Sequence, residues 1–269
     1  VFAGAGVLLA IAPDKPTIAA ATIAMLWAFG VLVPIVDAAV LRADRAGELS
    51  FGRTRAIGAG AFLLTTLIAG EALTRLGLDA SVIIMASAAC VTLFVSLLLP
   101  PPAASVGRTL LSLAETGKLL SSRPFLLCLG AAACVQGAHA AYYSFSALRW
   151  SELGYSPRVI GALWAAGVVA EIGLLVRMRG LAQRLGPQKL LTIGAAGAAL
   201  RWLATGLEPP LAILFLVQTM HALSFAAAYM GAIEFVDRAV PGRLVNTAMT
   251  VNSTAGVGAM TGVATLGAG

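Results

Sequence analysis

The chain of 269 residues is 59% hydrophobic and only 11% charged, against about a quarter charged in an ordinary soluble domain. That balance excludes a water-soluble fold. The formal net charge of +6 is spread in small clusters between apolar runs, which excludes nucleic acid as its partner and assigns it to membrane topology instead.

Taken in chain order, seven apolar runs are long enough to cross a bilayer, which takes roughly twenty helical residues. They are 17–41, 53–74, 80–100, 125–148, 159–176, 190–207 and 210–233, with partial runs at 1–12 and 245–269. The chain starts at Val1 inside one apolar run and stops at Gly269 inside another, so it reads as a fragment of a longer protein. Alternate connections hold thirteen of the eighteen Lys and Arg residues, and the positive-inside rule places that side in the cytoplasm. An even number of spans is then expected before Val1. The three cysteines, Cys90, Cys128 and Cys134, lie in apolar runs without metal spacing and read as small buried hydrophobes.

The first full run ends at Asp37, Arg42 and Arg45, and the next opens with Arg53 and Arg55. Charge pairing across this cytoplasmic connection would suit an inner gate, while plain topology-setting charge explains it equally well. Glu71 and Arg75, one turn apart, predict an interfacial ion pair. The connection 101–124 begins after Pro100 and carries a helical pattern in VGRTLLSLAETGKLL, as expected of a cytoplasmic linker. A weak internal repeat sets Asp37 and its Gly-rich successor against Glu234 and its own. Most span glycines read as close-packing positions; only Gly58, Gly60, Gly256 and Gly258 suggest flexibility.

Polar residues inside the later runs are the functional signal. VQGAHAAYYSF at 135–145 and VQTMHALSF at 217–225 hold the only two histidines, each three residues after a Gln. On helices, Gln136, His139 and Tyr143 share one face with Tyr142 beside it, and Gln218, His221 and Phe225 share another. Both histidines fall in the middle third of their runs, and such stripes must face other helices or a wet cavity. Glue between helices is the plain alternative. Glu171, with Trp164, Gly167 and Val168 on its face, is costly as an anion at that depth unless a cation pairs with it, so it is the candidate proton site, with a structural pair to Arg201 or a histidine as the plain alternative. Arg201 beside Trp202 can hold a carboxylate in bidentate fashion; a snorkelling arginine near the outer surface explains it nearly as well.

These stretches resemble the phenylpropionate permease group of the major facilitator superfamily. The likeness rests on VPIVDAAVLR with FGRTRAIGAGAF, on VQGAHAAYYSFSALRWSELGYSPRVIGALWAAGVVAEI, on LRW at 200–202 and on VQTMHALSF. The resemblance implies an all-α membrane protein with a two-bundle fold of twelve helices, about nine of them present. Residues 1–100 would be the remainder of the N-terminal half (helices 3–6), 101–124 the central loop and 125–269 the C-terminal half to helix 11, with two helices missing before Val1 and one after Gly269. It also implies that the two Gln-x-x-His stripes are facing walls of a solute path. GLAQRLG departs from the superfamily's cytoplasmic signature, having Gln183 where an acid belongs.

The expectation is a bacterial inner-membrane secondary transporter, multi-pass and monomeric, that takes up a small organic solute, an aromatic carboxylate by preference, with protons. Glu171, His139 and His221 are the proton-coupling residues. Gln136, Tyr142, Tyr143, Trp164, Arg201, Gln218 and Phe225 bind the solute, and Asp37, Arg53 and Arg55 gate. No cofactor, metal or nucleic acid is called for. With no HExxH, no GxSxG and no phosphate-binding loop, the chain is not read as an enzyme. Drug, sugar or nucleoside transport on the same scaffold, or a truncated membrane protein that transports nothing, are the alternatives.

Overall fold

The computed structural model describes residues 1–77, 79–98 and 113–268, so the first half of the linker lies outside the described residues. Everything regular in them is helical. Five helices are long and apolar enough to cross a membrane: Lys15–Arg45, Phe51–Ala72, Arg123–Glu152, Arg158–Met178 and Leu211–Ala239. The 80–100 run is represented by the shorter apolar helix Val82–Leu98, and the 190–207 run forms the second half of the helix that begins at Pro157. Large apolar side chains such as Trp27, Phe62, Phe94 and Leu216 stand exposed on these helices, where the surrounding medium is lipid. Cys90 and Cys134 share that setting, and only Cys128 is buried. The expectation of three buried cysteines thus fails at two positions that face outward from the bundle.

The chain divides into two compact units. One comprises Val1–Val33 and Leu64–Leu111, its described part ending at 98. It contains α1 (Phe2–Ala10), the start of α2 (Lys15–Arg45), the end of α3 (Phe51–Leu76) and α4 (Asp79–Leu98). Asp14 starts α2 by accepting a hydrogen bond from the Thr17 amide at 2.8 Å, and this bond holds the Asp14 carboxyl below its usual range. Small residues set the packing of α1 on α4: a Cβ added at Gly6 would stand 2.9 Å from that of Ala89. Arg75 donates to Glu71 at 2.5 Å, the pair expected from their spacing.

The other unit holds Pro34–Leu63 and Ser112–Gly269. The boundary inside α2 falls at Pro34, which removes one backbone hydrogen bond from that helix. Then follow α5 (Leu113–Leu120), α6 (Arg123–Gly137), α7 (His139–Glu152), α8 (Pro157–Gly206), α9 (Leu211–Thr219), a π-helical segment Ala222–Ala227 and α10 (Ala228–Ala239). A 3₁₀ turn at 242–244 leads to α11 (Val245–Val251), a second π segment Asn252–Gly258, which contains the Gly-Val-Gly run, and α12 (Ala259–Ala268). Two spans are merged in α8, and the break sits at Gly186, whose φ of 72° suits glycine, followed by Pro187. Ser156 caps α8 by accepting from the Val159 amide, with Pro157 in the first turn. The core of this unit centres on Leu175, Met178, Leu190, Met230, Val245 and Met249.

Glycines permit a close crossing of α8 with the π segment and α10 in this unit. A Cβ at Gly194 would meet the Ala228 nitrogen and Cα at 2.8 Å, and one at Gly197 would meet Leu223 Cβ at 2.7 Å. Backbone atoms cannot step aside as a flexible side chain would, so Gly194→Ala is expected to destabilise the protein by about 1–3 kcal/mol. Thermal unfolding in detergent checks this, with Gly161→Ala as the control, since a Cβ there meets nothing within 4 Å and alanine favours the helix.

Candidate functional site

The polar residues of α6 to α10 converge on one buried cluster built around Arg201. Its side chain is fully buried, which removes the snorkelling alternative. The guanidinium donates through Nη1 to His221 Nδ1 at 2.9 Å and to Ser224 Oγ at 3.1 Å, and through Nη2 to Gln218 Oε1 at 2.9 Å. The rings of Tyr142 and Trp202 flank it, their centroids 4.4 and 4.6 Å from Cζ.

Donor logic fixes the proton positions. A guanidinium can only donate, so His221 Nδ1 accepts and Nε2 carries the hydrogen, facing Glu171 Oε2 at 3.4 Å. His139 Nδ1 lies 2.9 Å from the Val135 carbonyl, which can only accept, so the hydrogen is on Nδ1. Its Nε2 then accepts from Ser224 Oγ at 3.2 Å. Both histidines are neutral in this arrangement, and the His221 imidazole lies between the buried Arg201 guanidinium and the Glu171 carboxyl group. Two buried donors, Arg201 Nε and Gln218 Nε2, have no hydrogen-bond partner among the described residues. Such groups cost about 1–3 kcal/mol each when left unmet.

The expected residues divide as follows. Glu171, His139, His221, Gln218 and Arg201 meet in this cluster. Gln136 donates to the Phe225 carbonyl at 3.3 Å, beside the π segment. Tyr142 is buried against Arg201, whereas Tyr143 is 47% exposed and stacks on Trp164 at 5.7 Å. Tyr143 keeps the face expected from its spacing, its ring 5.8 Å from that of His139 in the same helix, while Tyr142 beside it packs on Arg201. The two stripes touch rather than face across an open path: the His139 and His221 rings are 5.4 Å apart.

Phe225 belongs to a stacked aromatic ladder, 5.1 Å from His221 and 6.1 Å from Tyr229. The ladder leads from the Arg201 cluster to a second polar centre. There Tyr229 donates its hydroxyl to Asp37 Oδ2, Arg55 Nη1 pairs with Asp37 Oδ1 at 3.3 Å, and the Arg55 guanidinium lies over the Tyr229 ring at 4.9 Å. Asp37 is buried at 2% exposure. Arg53 lies on an exposed face of α3 and takes no part in this centre. Nearby, Arg42 donates to Asn246 Oδ1 at 2.5 Å, and Arg45 pairs with Asp237 at 2.6 Å while donating to the Val236 and Asp237 carbonyls at the end of α10. Sequence reasoning missed Ser224, Tyr229 as a partner of Asp37, and the Arg45 contact. Ser224 had one signal, its place three residues after His221 on the same stripe.

A family profile described as "MFS_1 like family" matches residues 4–269. A protein described as a probable 3-phenylpropionic acid transporter from Escherichia coli (strain K12) is 30% identical over 211 residues, covering 77% of this chain and 55% of that protein. A maltose permease from Geobacillus stearothermophilus is 26% identical over 258 residues, 94% of this chain and 64% of the permease. The chain thus spans between half and two-thirds of the length of these relatives.

Proposed function

The chain belongs to the MFS_1-like family of the major facilitator superfamily, and on that premise we propose that the whole protein imports an aromatic carboxylate together with protons across a bacterial inner membrane. The observation that carries this reading is the buried Arg201 cluster with its two unmet donors. Arg201 and Glu171 balance each other across His221. A proton on Glu171 cancels the negative partner and leaves a buried guanidinium uncompensated, which is costly unless another anion arrives. A carboxylate solute restores the balance, and Tyr142, Trp164 and Phe225 offer apolar contact to an aromatic body. Proton and acid then bind together because each makes the other cheaper to hold, which is the coupling a symporter needs.

The inner gate in this reading is the Asp37–Arg55–Tyr229 centre with the Arg45 clamp on the end of α10. Cations favour a helix C-terminus, so the clamp uses the α10 dipole as well as Asp237. Arg53 serves here only as topology-setting charge. The likeness to a probable 3-phenylpropionic acid transporter favours an aromatic acid. A second reading, sugar uptake on the same scaffold, draws on the likeness to a maltose permease.

The test is the full-length protein in liposomes, with currents recorded as phenylpropionate, cinnamate, maltose and a nucleoside are applied at pH 6 and pH 8. Inward current with the aromatic acids, larger at pH 6, is the expected result. Current with maltose alone would establish the sugar reading in its place.

A further inference from the structure

Next to the Arg201 cluster, α7, the last turn of α8 and the 207–210 connection enclose a cavity of about 370 Å³. The charge pattern puts this end on the outer side of the membrane. Tyr142 and Trp202 separate the cavity from Arg201: both line it, and both rings lie against the guanidinium, which is itself fully buried. The cavity is therefore a compartment apart from the proposed proton site.

Three lining residues carry a buried polar atom with no hydrogen-bond partner among the described residues: Ser146 Oγ, Trp202 Nε1 and Thr205 Oγ1. Unmet groups of this kind are uncommon in a folded protein and call for a partner. The two hydroxyls reach alternative staggered positions by rotation about χ1, so they can turn to a molecule in the cavity. Tyr142, Trp150 and Trp202 give it aromatic walls. Its charged rim is paired, since Arg149 donates to Glu208 through Nε at 2.8 Å and through Nη2, and to Glu152 through Nη1 at 3.2 Å, which leaves one carboxylate in excess.

We propose that this cavity is a second binding site, for an uncharged aromatic molecule bearing a hydroxyl, carbonyl or amide group. An anion meets the excess carboxylate of the rim, and a cation meets the Arg201 guanidinium behind the Tyr142 and Trp202 rings, so neither sign of charge is favoured. A lipid chain would fill the volume but leave all three polar groups unmet. A flat ring with one hydrogen-bonding substituent satisfies both the walls and the donors. This site stands independently of proton coupling.

The test uses the full-length protein in lipid nanodiscs and 4-hydroxybenzamide as the probe, followed by equilibrium dialysis. Saturable binding is expected, weakened about tenfold in Thr205→Val and in Trp202→Phe, since about one good hydrogen bond is lost in each. Ala141→Trp, on an exposed face of α7 that lines the cavity, is expected to block binding while the protein elutes as wild type on size exclusion. Glu171→Gln leaves the dissociation constant unchanged, which separates this site from the proton reading. The proposal is overturned if wild type shows no saturable binding, as when lipid or another stretch of the chain occupies the cavity. Binding that survives Ala141→Trp, or that ignores both Thr205→Val and Trp202→Phe, overturns it equally.

Discussion

Glu171→Gln is expected to abolish accumulation driven by a pH gradient and to spare exchange of labelled for unlabelled solute. Glutamine keeps the size of the side chain and can still accept from His221 Nε2, 3.4 Å away in the native protein, so the cluster should stay assembled. What it loses is the charge that a proton can cancel. The variant is held in the state where Arg201 lacks a counter-charge, so it binds the acid without needing a proton and has no proton to carry. One pH unit across the membrane corresponds to about tenfold accumulation per coupled proton; wild type should approach that value in proteoliposomes, and the variant should stop at equilibrium. Equal loss of exchange and uptake would mean that Glu171 only supports the structure.

Arg201→Met should cost more than any other single change in the chain. It removes a fully buried cation that holds His221, Ser224 and Gln218 and strands the Glu171 carboxylate. The Gln218 and Ser224 oxygens and His221 Nδ1 lose their donor, at about 1–3 kcal/mol for each buried group left unmet, a large part of the total stability of an ordinary domain. The thermal midpoint should fall sharply and acid binding should vanish. Adding Glu171→Gln should return much of the lost stability while binding stays absent, because both buried charges are then gone. Full additivity of the two losses would show that Arg201 and Glu171 do not sense each other.

Much of this cluster was legible in the sequence. Charges and histidines deep in apolar runs can be seen one residue at a time, and Glu171, His139, His221, Gln218 and Arg201 announce themselves that way. Their mutual placement could not be read. Arg201 belongs to α8 and its acceptors to α9 and the segment after it, and the choice between pointing inward and snorkelling depends on packing that no local pattern records. That Tyr142, the flanking residue, would pack on Arg201 while Tyr143 meets His139 depends on how α8 crosses α7, which the spacing does not record. The Arg45–Asp237 pair joins residues 192 apart; each looks like ordinary topology-setting charge until the helices are assembled. The linear spans were easier, since bilayer thickness dictates their length, although the merging of two of them in α8 around Gly186 left only a Gly-Pro pair as its trace.

The π-helical segment 222–227 makes chain length, and not only side-chain chemistry, part of the site. A π turn accommodates one residue more than an α turn. Were the stretch to take regular α geometry with its length unchanged, everything beyond it would swing by about 100° relative to His221. Tyr229 would leave the aromatic ladder and Asp37 would lose its hydroxyl donor, although every polar residue of the protein would still be encoded. Among natural or engineered variants, this segment should therefore tolerate the loss of one residue, which a return to α winding compensates, far better than the gain of one.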